Sequence, residues 1–327
     1  MLITRTPLRV SFCGGGTDLG AFYREHADGG AVTSLALGRH IYVTVNERFD
    51  DSVRISYSSM EIVDDFEELK HELVREAMRV TGVTSGVEIT TIADIPSRGT
   101  GLGSSSSVTV GLLHALHAFA GRAPDAVQLA EEACRIEIDV LGGTMGKQDQ
   151  YAAAFGGGNR ITFHADESVT VSPLSLSDDV RAAIPGSFCL VYTGKTRQAG
   201  DILVEQAANT GARMDELVRM RGMAGEVATA LEAGDFATVG TLLDEGWRLK
   251  QGMASGITST GIDDLYARVR ELGVTGGKLL GAGGGGFILC QTPDGVQQRL
   301  EKELDSRLLS LELATTGSTV LFDDREG

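Results

Sequence analysis

Residues 40–49, HIYVTVNERF, alternate: Ile41, Val43 and Val45 fall on one face, Tyr42 and Thr44 on the other. A period of two predicts a strand with one buried face. Residues 2–12, which carry Ile3, Leu8, Val10 and Phe12, and VEITTIADI (87–95) predict two more strands. DDFEELKHELVREAMRV (64–80) has helical spacing, acids in its first turn and Arg79 near its end, as the helix dipole favours. SSVTVGLLHALHAFA (106–120) is apolar on nearly every face, which predicts a helix buried all round. PDAVQLAEEACRIEIDVLG (124–142) predicts another helix, with Pro124 in its first turn and Gly142 at its stop. Strands are predicted near 158–164 and 187–193, and a mostly helical stretch from 198 to 272. KLLGAGGGGFILCQT (278–292) reads strand–glycine–strand, with a final helix from 293. There is no fixed-period repeat and no linker. Strands first, then helices, then a mixture, predict two α+β lobes in one unit.

The 327 residues are 42% hydrophobic and 23% charged, enough apolar chain for a sizeable core. The net charge of −16 argues against nucleic acid and anionic membranes as partners. It does not argue against small anions, which a local cradle of N–H groups can hold. Cys13, Cys134, Cys189 and Cys290 are far apart and form no CxxC pair, so a reduced, cytoplasmic setting is expected. The opening MLITRTPLRVSF lacks a basic region followed by an apolar core, so no signal peptide is expected. No apolar run reaches the ~18 residues of a membrane span.

The 43 glycines change the picture, because they cluster. Clustered glycine marks backbone that must come close to something. Three clusters stand out: CGGGTD (13–18), GTGLGSSSS (99–107) and GAGGGG (281–286). The middle one runs into the buried helix. A helix start leaves about four N–H groups unpaired and carries roughly half a positive charge. Glycines let a bulky anion approach those groups, and serine hydroxyls add donors and can ligand Mg²⁺. A single serine would suffice for an N-cap; four serines after three spaced glycines predict a phosphate cradle. It is not a Walker A loop, since no GK[ST] follows. GAGGGG matches GxGxxG at Gly281, Gly283 and Gly286, but it runs into the strand FILC, whereas a dinucleotide fingerprint opens a helix.

PSRGTGLGSSSS resembles the central phosphate loop of the superfamily named for galactokinase, homoserine kinase, mevalonate kinase and phosphomevalonate kinase (GHMP kinases). TPLRVSFCGGGTD is similar to its N-terminal substrate motif and KLLGAGGGGFIL to its C-terminal glycine motif. The three occur in the family's order across nearly the whole chain. More narrowly, TPLRVSFCGGGTDL, GKQDQYAAAFGG and YTGKTRQAGDIL resemble the bacterial D-glycero-D-manno-heptose 7-phosphate kinases, which phosphorylate an anomeric oxygen. The resemblance implies a two-lobed α+β GHMP kinase fold. An N-terminal lobe like ribosomal protein S5 would span 1–185 and a ferredoxin-like C-terminal lobe 186–327. It also implies ATP and Mg²⁺ and a sugar phosphate as small-molecule partners, and the chain is compatible with a homodimer. Other readings are a fucose- or uronic-acid-type sugar 1-kinase, or a non-catalytic sugar sensor on the same fold.

Phosphoryl transfer needs an oriented acceptor hydroxyl, a neutralised triphosphate and stabilised transition-state charge. By the resemblance, Asp149 in GKQDQY is the catalytic aspartate, as base or as orienting group, with Arg9 keeping it ionised. Lys147 is a second cation nearby. Gly99, Gly101, Leu102, Gly103, Ser104, Ser105 and Ser106 would hold the nucleotide phosphates, with Ser106 and Ser107 beginning the helix. Ser105 and Glu137 would hold Mg²⁺, although Glu131, Glu132 and Asp139 compete on the same helix. Gly15, Gly16, Thr17 and Asp18 would meet the sugar. Galactokinases carry larger polar residues before that Thr–Asp pair, so galactose is not expected here. Gly284 and Gly285 would close backbone over the substrate. Lys195 and Arg197 would clamp its distal phosphate. His114 and His117 lie three apart on the buried helix with no third ligand, which argues against a metal site there.

Overall fold

Alternation in the first fifty residues becomes a long hairpin in the computed structural model, which describes residues 1–95, 99–196 and 200–325. In chain order the strands are β1 (Leu2–Cys13), β2 (Gly30–Glu47), β3 (Val53–Ser56), β4 (Met60–Val63), β5 (Val87–Ala93), β6 (Gly158–Phe163) and β7 (Val169–Pro173). They continue with β8 (Phe188–Tyr192), β9 (Gly276–Leu279), β10 (Phe287–Gln291), β11 (Leu308–Ser310) and β12 (Thr319–Asp323). The first sheet has eight strands in the order β12-β1-β2-β5-β3-β4, with β6 on the other end of β2 and β7 beyond it. The second has four, β11-β8-β10-β9. Every pairing is antiparallel except β3 with β5.

β2 is the spine. Its second half alternates buried and half-buried, as the sequence pattern predicts, and pairs with β5. Its first half, from Gly30 to Leu37, is wholly buried. There β6 replaces β5 as partner, and the helix Met214–Ala233 packs over it, with Thr33 Oγ1 donating to the Ala224 carbonyl at 2.7 Å. A strand buried on both faces shows no alternation, which is why the pattern marked only 40–49.

The predicted buried helix is present as Ser104–Phe119, two residues earlier than expected, so all four serines lie in it. Gly111 lets it sit close to β1: a Cβ there would lie 2.9 Å from Thr6 Oγ1. Two helices differ from expectation. The helix expected at 64–80 runs only Glu72–Thr81, because Met60–Val63 pairs as β4 and Phe66–Glu68 is a short 3₁₀ turn capped by Asp65. The helix expected at 124–142 is α-helical over Ala126–Cys134 and then widens into a π turn at Arg135–Val140. Asp125 is its N-cap, so Pro124 precedes the helix rather than opening it. The mostly helical stretch and the strand–glycine–strand pattern are present as expected, but the final helix is short, Val296–Glu303, and the chain ends in β11 and β12.

The two sheets share one core. Phe12 of β1 meets Phe188 of β8 edge-on at 5.5 Å, and Phe188 meets Phe236 at 5.3 Å. Lys278 of β9 donates to the Ser11 carbonyl of β1 at 3.0 Å. The expected boundary at 185/186 parts the strands of the two sheets save one, since β12 returns to pair with β1. That return is held where Thr316 and Gly317 lie on the end of the helix Gln148–Phe155. Gly156 has φ +66, and a Cβ there would overlap the Thr316 carbonyl carbon at 2.0 Å. Gly156→Ala combines left-handed strain with that overlap and is expected to cost at least about 2 kcal/mol. Urea unfolding checks this; a variant as stable as the parent would contradict the tight closure.

Candidate active site

Arg9 is central on β1, where both faces of the sheet are covered, and is 3% exposed. Its Nε donates to Asp149 Oδ1 at 2.7 Å and Nη2 lies 2.7 Å from the same oxygen. Nη1 donates to the Gly101 carbonyl at 2.6 Å, and the backbone N–H of Arg9 to the Leu102 carbonyl at 3.0 Å. One guanidinium therefore ties the aspartate, in the first turn of the helix Gln148–Phe155, to the glycine–serine loop. That loop is close-packed on the pair: a Cβ on Gly103 (φ +74) would lie 3.1 Å from Arg9 Cγ and 3.4 Å from Asp149 Cγ.

A cavity of about 400 Å³ opens on these groups. Its wall includes Arg9, Asp149, Gly15, Gly16, Asp18, Gly99, Gly101, Leu102, Gly103, Ser104, Ser105 and Gly285, so most of the expected residues converge. Asp18 is buried. Oδ1 accepts from the Gly16 N–H and Oδ2 from Gln148 Nε2, both at 2.8 Å. Burial raises its pKa above the ordinary carboxylate range, and nearby Asp149 adds to this, while the Gly16 and Gln148 bonds oppose it.

Glu137 stands behind the loop on the π turn and is 4% exposed. It accepts from Ser105 Oγ at 3.0 Å and Gln150 Nε2 at 2.6 Å. Of the acids competing on that helix it is the one that reaches the serines. Burial raises its pKa; the serine and glutamine bonds hold it down. Among the described residues no three His, Cys, Asp or Glu gather into a metal cluster. The set present is one carboxylate, bonded to Ser105 Oγ, beside the cavity-lining Ser104 and Ser105 hydroxyls. That fits a hard cation completed by phosphate oxygens and water. His114 bonds Ser318 and His117 bonds Glu132, so neither is free for metal.

Five expected residues do not line the cavity: Glu137, behind the loop, and Thr17, Ser106, Gly284 and Lys195. Thr17 is fully buried, its hydroxyl donating to the Gly14 and Ala31 carbonyls and accepting from the Ala31 N–H, so it holds the turn instead. Ser106 faces inward. Gly284 gives its N–H to the Ile257 carbonyl at 2.9 Å. Lys195 is exposed at the rim, where its carbonyl accepts from the Gly286 N–H at 2.8 Å. Arg197 lies outside the described residues. Conversely, Ser11, Gln148, Gln206 and Lys250 line the cavity unforeseen. Gln148 had a signal, its place beside Asp149 in GKQDQY; the lysine, in a stretch that reads as helix packing, had none.

The C-terminal glycines do more than expected. A Cβ on Gly281 would lie 2.5 Å from Gly101 Cα, and one on Gly286 2.3 Å from the Thr100 carbonyl oxygen. The motif thus lies backbone-to-backbone against the glycine–serine loop.

Comparison with known proteins identifies the family. The family model for the GHMP kinases N terminal domain matches residues 68–157, and that for the GHMP kinases C terminal matches residues 227–306. The D-glycero-alpha-D-manno-heptose 7-phosphate kinase of Campylobacter jejuni is 28% identical over 302 residues, covering 87% of each chain. The L-fucokinase/L-fucose-1-P guanylyltransferase of Bacteroides fragilis is 27% identical, over 89% of this chain and 34% of its own. This chain thus spans about a third of that relative. A crystal structure of a D-glycero-D-manno-heptose 1-phosphate kinase from Bacteroides thetaiotaomicron shares the fold, with a TM-score of 0.81 over 99% of both chains at 23% identity.

Two outcomes follow from the charges. Arg9→Met leaves Asp149 without its partner in a largely buried site and is expected to cost about 3–5 kcal/mol of stability as well as activity; chemical denaturation measures this, and a loss below 1 kcal/mol would contradict it. Asp18 has a raised folded pKa, so its ionised form opposes folding at pH 7 and the penalty fades as pH falls through that pKa. Asp18→Asn should therefore melt higher than the parent at pH 7, with the gap narrowing toward pH 4. Gln148 can follow by turning its unpartnered Oε1 to the new amide. A lower melting temperature at pH 7 would refute the charge assignment.

Proposed function

The chain belongs to the GHMP kinase family, and from that premise we propose that it transfers the γ-phosphoryl group of ATP to the anomeric hydroxyl of D-glycero-D-manno-heptose 7-phosphate. The product would be the 1,7-bisphosphate, which feeds synthesis of nucleotide-activated heptose. The observation that carries the reading is the Arg9–Asp149 pair, which shares one cavity with the glycine–serine loop and Asp18.

The anomeric oxygen attacks the γ-phosphorus, the bond from that phosphorus to the β-bridging oxygen breaks, and ADP leaves. Asp149 accepts the hydroxyl's hydrogen bond and takes its proton as the new bond forms. An anomeric hydroxyl is more acidic than a simple alcohol, so a carboxylate oriented by Arg9 suffices. Arg9 also fixes the Gly101 carbonyl, which keeps the phosphate loop in line with Asp149. Asp18 accepts from sugar hydroxyls, and Gly15 and Gly16 leave room for a seven-carbon chain. The N–H groups opening the helix Ser104–Phe119 receive the triphosphate. Ser105 and Glu137 would hold Mg²⁺ on it. The ion, when bound, offsets phosphate charge.

The distal phosphate is assigned to Lys195 and Arg197, since Lys195 borders the cavity-lining Gly285. Four buried cysteines without a disulfide suit a reducing cytoplasm. No helix of the described residues is long and apolar enough to cross a membrane. The fucokinase relative favours one other reading, a fucose-type sugar 1-kinase using the same groups.

Purified protein with ATP and Mg²⁺ should phosphorylate heptose 7-phosphate at C1 in preference to L-fucose or free heptose. Preference for fucose would replace the substrate. Asp149→Asn should lower kcat at least ~1000-fold with KM values little changed; an unaltered rate would overturn its role. Glu137→Gln should raise the Mg²⁺ concentration for half-maximal rate about tenfold or more, and an unchanged Mg²⁺ dependence would remove it from the metal site.

A further inference from the structure

Lys250 is the least expected group on the cavity wall. It sits in the last turn of the helix Phe236–Gln251 and is 5% exposed. Its Nζ donates to the Gly281 carbonyl, which opens the C-terminal glycine motif. Among the described residues that is its one hydrogen bond, and no carboxylate lies within ion-pair distance. An ammonium has three N–H donors, so two are left at a cavity the protein itself does not fill. Burying an ammonium in this way is costly unless a partner arrives.

The charged groups around it come from four elements. Lys278 on β9 and Arg9 on β1 repel its proton; Asp18, in the loop after β1, and Asp149, on the helix Gln148–Phe155, attract it. Lys250 shares the cavity wall with Gly15, Gly16 and Asp18 and lines a smaller pocket with Gly14 of the same loop, which sets it toward the acceptor end of the cavity. Ser104 and Ser105 serve the nucleotide end.

We propose that Lys250 binds the acceptor sugar: its two remaining N–H groups hold sugar oxygens beside Asp18 while the third stays on Gly281, so that a bound sugar fastens the C-terminal glycine motif against the phosphate loop. This rests on the sugar-kinase reading above. Since Gly281 touches Gly101 and Arg9 holds the Gly101 carbonyl, acceptor binding is connected to the catalytic pair through two backbone contacts.

The contact has a pH signature. Burial, aided by Lys278, lowers the Lys250 pKa from 10.5 to about 7, so in the empty site its proton is loosely held. Sugar oxygens accepting from the ammonium favour the charged form. Acceptor binding then takes up a proton above pH 7, and kcat/KM for the sugar falls as pH rises from 7 to 9. Folding has the opposite sign: the unfolded chain binds this proton more tightly, so the penalty shrinks as pH rises from 7 toward 10.5.

Lys250→Met keeps the length and apolar stem and removes the ammonium. With heptose 7-phosphate and MgATP, kcat/KM for the sugar should fall roughly 30- to 100-fold. KM for ATP should stay within about threefold, and the loss between pH 7 and 9 should disappear. The melting temperature at pH 7 should be unchanged or higher. A sugar kcat/KM within threefold of the parent, a retained alkaline limb, or equal losses toward sugar and ATP would overturn the proposal. Titration calorimetry of the parent enzyme with the same sugar at pH 8, in buffers of different ionisation enthalpy, needs no variant: proton uptake supports the contact and none refutes it. If the parent enzyme uses L-fucose instead, the substrate reading fails, and the same comparison on L-fucose decides for or against Lys250.

Discussion

One ion pair holds the site together. Arg9 and Asp149 are 140 residues apart in sequence, yet share bonds of 2.7 Å at the base of the cavity, with Arg9 buried and Asp149 half-buried. Taking both charges out of water is costly, and only good geometry with further hydrogen bonds offsets it. Arg9 meets that condition by also holding Gly101 and Leu102. The central strand β1, the glycine–serine loop and the helix Gln148–Phe155 are thereby fixed relative to one another by one side chain. Lost on either side, the pair leaves an uncompensated charge as well as a displaced loop.

The second sheet reaches the same centre by backbone. Residues 281 and 286 lie so near 100 and 101 that any side chain would collide. The glycines of the C-terminal motif therefore serve loop-on-loop packing first, and bring the cavity wall with it. Behind them the Phe12–Phe188–Phe236 contacts and the Lys278–Ser11 bond carry the registration of one sheet on the other. The cavity wall thereby takes residues from both regions of the chain.

The cavity is electrostatically opposed to folding. Asp18 and Glu137 are pushed toward the neutral acid and Lys250 and Lys278 toward the neutral amine, all chiefly by burial. Each shift marks a charge kept where water is scarce. Such groups lower stability while readying the site for polar ligands, so neutral replacements of Asp18 and Lys250, which line the cavity, are expected to stabilise the chain and disable it.

Much of this was legible in the sequence. Alternation marked β1, the outer half of β2 and β5, and the glycine–serine run marked the phosphate loop, because periodicity and residue type report local backbone needs. Arg9, Asp18, Asp149 and Glu137 were legible through motif resemblance. The rest depended on partners distant along the chain. The first half of β2 lost its alternation because β6 and a later helix cover both faces. The π turn that aims Glu137, the return of β12 to β1, and the inward turn of Thr17 each follow from contacts that no local window contains. Lys250 reads as an ordinary lysine on a helix end; only packing against Gly281 and the opposite wall of the cavity makes it a buried cation. The sequence by itself determined which chemistry was available, since that resides in residue types. Tertiary structure decided which groups meet and in what charge state, since burial and distance belong to the folded chain alone.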